Sequence, residues 1–211
     1  MKLIKKVQEW GNGAGVRVPR DWLGAEVEIK PLMPLSVKDI QKAVIQEVNP
    51  YLANIQGVYL AGSYARGEQA GRSDIDILTI TDKPIKIPKK EPYDFYMVSR
   101  DRLEKTIKHY PLQIMSMIRE AKPIINNALL EDLKKIELKP SYFEEHLEAT
   151  KRALRIIENL MEGYADSHIA HASLIYPLIL RLRSLYLVEA LLKNKEYRMF
   201  RVKLDMERTG I

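Results

Sequence analysis

The sequence contains no cysteine. That excludes disulfides and thiolate metal sites, and it fits a reducing compartment, so a cytoplasmic location is expected. No uninterrupted apolar run approaches the ~20 residues that a membrane-spanning helix needs, and no membrane partner is expected. The first residues, MKLIKKVQEW, lack the apolar core of a secretory leader. Histidine is scarce, with four in 211 residues. His168 and His171 lie three apart and would share a helical face, but a zinc site needs more ligands at better spacing. Acidic residues are the minority, 28 Asp and Glu against 34 Lys and Arg, for a net charge of +6. Such a balance favours polyanionic partners such as nucleotides, RNA or DNA.

What is present is organised around Gly62 to Asp76, GSYARGEQAGRSDID. A short apolar run, Val58-Tyr59-Leu60-Ala61, leads into Gly62-Ser63. Ten residues then separate Ser63 from Asp74, and Asp76 follows two later. Asp74 to Ile80 has strand composition, and residues i and i+2 of a strand point to one face. Two carboxylates side by side repel unless a cation sits between them, and oxygen ligands suit magnesium. A strand that ends in Gly-Ser and turns into a short helix offers free backbone N–H groups, and a glycine lets a phosphate approach the backbone closely. A phosphate cradle beside paired carboxylates suits a metal-bound nucleoside triphosphate.

Gly62-Ser63, the ten-residue spacing and Asp74-x-Asp76 resemble the signature of the DNA polymerase beta-like nucleotidyltransferase superfamily. The nearest branches are the minimal and aminoglycoside nucleotidyltransferases. Ala65-Arg66-Gly67 and Ser73 match the usual form, and the resemblance covers roughly residues 55 to 98. It implies an α+β fold, a small mixed sheet with flanking helices. It also implies a third carboxylate on a later strand, for which Asp94 within Tyr93 to Val98 is the candidate. The implied reaction transfers a nucleoside monophosphate, AMP first among them, from ATP or another triphosphate to an acceptor hydroxyl. Asp74, Asp76 and Asp94 would hold two Mg2+ ions. Gly62 and Ser63 would hold phosphate, with Arg66 and Arg72 flanking. Arg66 has a second reading as a structural ion pair. The acceptor stays open between protein, RNA and small molecule. Minimal nucleotidyltransferases often act with a helical partner as toxin–antitoxin pairs.

Three regions are expected: a hairpin unit at 1–32, a nucleotidyltransferase domain at 35–126 and a C-terminal helical bundle at 127–211. In the first, Lys2 to Trp10, Val16 to Val18 and Val27 to Ile29 read as strands around the turn cluster Gly11 to Gly15. Trp10-Gly11-Asn12, Val16-Arg17-Val18-Pro19 and Asp21-Trp22-Leu23-Gly24 resemble the AbrB/MazE-type hairpin. That resemblance implies a homodimer binding DNA through residues 1–30, with Arg17 and Arg20 as contacts. A second function therefore stands beside the first: a DNA-binding dimeric regulator or antitoxin whose nucleotidyltransferase domain senses nucleotide or is inactive. A hairpin that only dimerises, or packs on the next domain, is as good a reading.

In the second region Ser36-x-x-Asp39 reads as a capping box. Ile40, Ala43, Val44 and Val48 follow at helical spacing, ended by Pro50. Lys83 to Pro92, with three prolines and four lysines, reads as a loop. Pro111 opens a helix that Pro123 ends, with Ile124-Ile125 as a short strand. Beyond 127, Ser141-x-x-Glu144 is a second capping-box candidate. Leu147, Leu154, Ile157 and Met161 form a stripe ending near Gly163. A further helix from Asp166 is expected to kink at Pro177, with a last turn or two in Tyr197 to Met206.

Overall fold

The computed structural model describes residues 3–29, 36–69, 73–163, 172–195 and 197. The expected histidine pair, the start of the helix from Asp166 and nearly all of the 197–206 turn lie outside them. The chain divides into two compact units, Met1–Leu32 and Met33–Ile211.

In the first unit, β1 (Gln8–Trp10) pairs antiparallel with β2 (Gly13–Gly15), Trp10 opposite Gly13. Gly11 and Asn12 make the two-residue turn, with Gly11 at φ +57°. This corrects the expected strand at Val16–Val18. So tight a turn sets Gly13–Gly15 opposite Gln8–Trp10, and Val16–Val18 runs on outside any strand, as does Val27–Ile29. No described residue of this unit is buried. Ile4, Val7, Trp10, Val18, Leu23, Val27 and Ile29 are all exposed.

The second unit opens with α1 (Val37–Val48). The Ser36 hydroxyl accepts the Asp39 N–H at 3.2 Å and donates to Asp39 Oδ2 at 2.8 Å, so Ser36 caps the helix as expected, with the Asp39 carboxylate on its hydroxyl and not on its backbone N–H. Strand β3 (Ile55–Leu60) follows, then the short α2 (Gly62–Arg66), β4 (Ile75–Thr81) and β5 (Tyr93–Ser99). After α3 (Arg100–His109) and α4 (Pro111–Glu120), β6 (Lys122–Ile125) completes a four-stranded sheet in the order β5-β4-β3-β6. Strand β3 runs antiparallel to β4 and β6, while β4 and β5 are parallel. Pro123 lies inside β6, not beyond it. An edge strand tolerates a residue with no N–H to give. Helices α5 (Asn127–Lys134), α6 (Glu144–Gly163) and α7 (Ala172–Leu192) follow, with Pro177 inside α7. Ser141 caps nothing. It falls in a 3-10 turn at Pro140–Phe143, whose Phe143 is fully buried.

The pleat sorts the sheet into two buried faces. Val58, Leu60, Ile75, Ile77 and Tyr93 pack with Ile40, Val44 and Val48 of α1. Tyr59, Leu78, Ile80 and Val98 pack with Leu103 and Ile107 of α3, Ile114, Met115 and Ile118 of α4, Leu130 of α5, and Val188 and Leu191 of α7. This second core draws on residues either side of position 126. Phe143 lies within it at 0% exposure, so Phe143→Ala is expected to cost about 3–5 kcal/mol. Denaturant unfolding would show it, and a loss under about 1 kcal/mol would mean the site collapses freely around the smaller side chain.

Because β4 and β5 are parallel, residues 82–92 must carry the chain back along the sheet between them. This return is anchored: Ile87 is buried, and the Pro92 carbonyl accepts the Ile75 N–H at 2.9 Å.

Candidate active site

Alternation along β4 puts Asp76 on the same face as Leu78 and Ile80, and alternation along β5 puts Asp94 with Tyr96 and Val98. The parallel register sets Asp76 directly beside Asp94. Asp74 stands one residue before β4, exposed, and Asp76 is half-buried. Three carboxylates thus belong to one end of the sheet, where β3 also delivers Gly62.

Gly62 enters α2 at φ +66°, a left-handed conformation. A Cβ on it would stand 1.9 Å from Asp76 Oδ2 and 2.8 Å from its Cγ. Only glycine lets the backbone lie this close to the carboxylate. The neighbouring Ala61 N–H donates to the Asp76 carbonyl at 2.8 Å. Backbone and carboxylate are therefore locked together at the turn that opens the short helix. Ser63 is half-buried in its first turn.

A fourth carboxylate joins them. Glu120 closes α4, immediately before β6, and the pairing of Leu60 with Lys122 carries it to the end of β3. Its Oε1 accepts the Gly62 N–H at 2.7 Å, and its Oε2 accepts from Arg66 Nη1. Arg66 Nε donates to Glu68 Oε2 at 2.8 Å. The Arg66 guanidinium also sits over the Tyr197 ring, 6.0 Å from its centre. Of the two readings of Arg66, this structure holds it in the ion pair. The Gly62 N–H, expected to face phosphate, is engaged by Glu120. Arg72 lies outside the described residues.

These contacts set the charge state. Burial is the main force holding the Asp76 carboxyl above its ordinary range, followed by the negative charges of Asp94, Glu120 and Asp74, with Arg66 opposing. Burial works against the charge on Arg66, but Glu68 and Glu120 outweigh it and raise its pKa. Among the described residues no group of three or more His, Cys, Asp or Glu side chains is gathered ready to hold a metal ion. The donor chemistry nevertheless fits a hard divalent cation. All the donors are carboxylate oxygens, and burial together with the like charges of Asp94, Glu120 and Asp74 disfavours a bare charge on Asp76, which a cation would relieve.

Glu120 is the residue that the sequence did not single out. Nothing local marks it, since it looks like any acidic residue in the last turn of a helix. Only the pairing of β6 with β3 shows where it goes.

Residues 40–139 match the family model "Polymerase beta, Nucleotidyltransferase". By that match, residues 40–139 are a nucleotidyltransferase domain. Among solved structures, the chain is similar to a nucleotidyltransferase-like protein from Exiguobacterium sibiricum 255-15. That match has 17% identity and a TM-score of 0.39, over 79% of this chain and 63% of the other. The chain thus spans somewhat under two thirds of that protein. It is also similar to a toxin–antitoxin with AMP-PNP, at 17% identity and a TM-score of 0.33, over 57% of this chain and 98% of the other. A mutant of the toxin–antitoxin MntA–HpeT gives 14% and 0.32, over the same shares. No curated protein matches the chain.

Proposed function

We propose that the strand-end site transfers a nucleoside monophosphate, AMP by preference, from a triphosphate to an acceptor hydroxyl. The acceptor oxygen bonds to the α-phosphorus, the α–β phosphoanhydride bond breaks, and pyrophosphate leaves. The observation that carries this reading is the in-register pair Asp76 and Asp94, with Asp74 beside them and the Gly62 backbone packed on Asp76.

Asp74, Asp76 and Asp94 would hold Mg2+, which when bound neutralises phosphate charge and makes the acceptor hydroxyl more acidic. The chain's own part is positioning. The Ser63 hydroxyl would hold phosphate, and the Gly62 N–H would join it once Glu120 releases it. Arg66 keeps Glu120 against the turn. Asp94, exposed at the strand end, is placed to take the hydroxyl proton on a carboxylate oxygen. The acceptor is a protein, an RNA or a small molecule.

Calorimetric titration of ATP and the other triphosphates, with and without magnesium, tests the site before any acceptor is known. Magnesium-dependent binding is expected in the parent chain, ATP tightest, and none in Asp74→Asn or Asp76→Asn. A folded parent chain that binds no triphosphate would refute the proposal.

One observation favours a second reading for the first unit alone. Seven large apolar side chains stand exposed in this unit, with no buried residue among those described. We propose that residues 1–32 pair with a second copy of the chain, presenting Arg17 and Arg20 to DNA. A salt-dependent shift of duplex DNA by the full chain is expected. No shift at low salt would dispose of DNA binding.

A further inference from the structure

A cavity of about 580 Å³ opens beside the Arg66–Glu120 pair, walled by α2, α4, the end of α5 and α7. Its charged lining is one-sided. Arg66, Arg119, Lys122, Lys134 and Lys195 face it with a single carboxylate, Glu120. Arg66 is paired with Glu68 and Glu120, and Lys134 with Glu131 at 3.2 Å. Arg119 and Lys122 have no carboxylate partner among the described residues, and Lys195 feels only the charge of Glu189, which Lys193 already holds in an ion pair.

Arg119 is the most telling of them. Its Nη1 donates to Asn194 Oδ1 at 2.7 Å and to the Lys134 carbonyl, and its Nη2 to the Ile136 carbonyl at 2.9 Å. Every acceptor is neutral. Its Nε is buried with no acceptor at all. Burial lowers the Arg119 pKa, with no acid nearby to restore it. The carbonyls at the end of α5 offset part of this half-buried charge, as a helix C-terminus does for a cation, but no full negative charge meets it. Lys122 and Lys195 stand exposed at the same opening, where flexible ammonium groups can close on an arriving anion.

Size decides the class of ligand. A cavity of this volume takes a small molecule, not a nucleic acid strand or a protein segment. Five cations facing one carboxylate, Glu120, match a dianion better than a single carboxylate. We propose that this cavity binds the phosphate group of a small phosphorylated molecule through Arg119, Lys122 and Lys195. The cavity shares Arg66 and Glu120 with the strand-end site, but the three proposed ligands are not among that site's residues, and the proposal stands whether or not the strand-end carboxylates catalyse transfer.

The test titrates the full-length chain with ribose 5-phosphate in the presence of EDTA, with ribose as the control. Chelation keeps divalent metal from the strand-end carboxylates. Saturable binding of ribose 5-phosphate and none of ribose is expected. Because Arg119 ties down the carbonyls after α5 and its removal threatens folding, the variant is Lys122→Ala/Lys195→Ala, with its circular dichroism compared with the parent's. Loss of two charge-assisted contacts is expected to weaken binding about tenfold or more. Asp76→Asn is expected to bind as the parent does. No binding by the parent at millimolar ligand, equal binding of ribose, or a double variant with unchanged affinity would each overturn the proposal. So would an RNA oligonucleotide held through the two lysines by a chain that ignores ribose 5-phosphate.

Discussion

Asp76→Asn is expected to lower nucleotide transfer by about a hundredfold or more and, in the same protein, to raise the thermal unfolding midpoint. The two effects share one cause. Asp76 is half-buried against the Gly62 backbone, beside Asp94, Glu120 and Asp74, and its pKa is raised accordingly. The folded chain therefore holds that proton more tightly than the unfolded chain does. Stability falls as pH climbs through the carboxylate range, and above the raised folded value the destabilisation is present in full. Asparagine carries no charge to penalise, so the gain in midpoint appears at pH 7. It fades toward pH 3, where the parent carboxyl is protonated in both states. Magnesium is expected to raise the midpoint of the parent and to leave the variant nearly unmoved. Activity and calorimetric unfolding across pH check this together. Near-normal turnover by the variant would remove Asp76 from the mechanism, and a lowered midpoint at pH 7 would contradict the charge argument.

Gly62→Ala is expected to be the most damaging single methyl group in the domain. A left-handed backbone costs a residue with Cβ roughly 1–2 kcal/mol. At Gly62 the new Cβ must also displace the Asp76 carboxylate, 1.9 Å away. A loss of about 2 kcal/mol or more in stability is expected, with transfer activity falling alongside it. Gly67 supplies the control. It has φ +74° and nothing within 4 Å of the site of a Cβ, so Gly67→Ala carries the backbone cost alone. Equal stability loss in the two variants, with activity kept in both, would show that the contact between Gly62 and Asp76 matters little.

The parts of the site that the sequence announces are those set by local periodicity. Two aspartates at i and i+2 in an apolar strand must share a face, and a Gly-Ser at the end of the preceding run must turn there. Ser36 and Pro111 likewise mark helix starts by chemistry within one turn of the chain. Glu120 escapes because its meeting with Gly62 depends on β6 pairing with β3, an event between distant segments. The hairpin registers fail for a related reason. Val16–Val18 has strand composition, but a two-residue turn decides which residues find a partner, and composition says nothing of that. Ser141 illustrates a third limit. Its capping motif is intact in sequence, yet burial of Phe143 draws the preceding residues into a 3-10 turn.

The return path from β4 to β5 acts as a ruler for the site. Eleven residues, 82–92, retrace a strand of seven, Ile75–Thr81. Fully extended they cover about 40 Å at most, against roughly 23 Å for the strand itself, and both ends must also turn. Removing residues soon draws this tether tight. The response is a slip of β5, and a slip of one residue sends Asp94 to the opposite face of the sheet while Tyr93 or Phe95 takes its place beside Asp76. Adding residues only lengthens a loop, at a few tenths of a kcal/mol or so. Tolerance of length change here is therefore lopsided: related sequences that keep the chemistry are free to grow in this segment and are barred from shrinking.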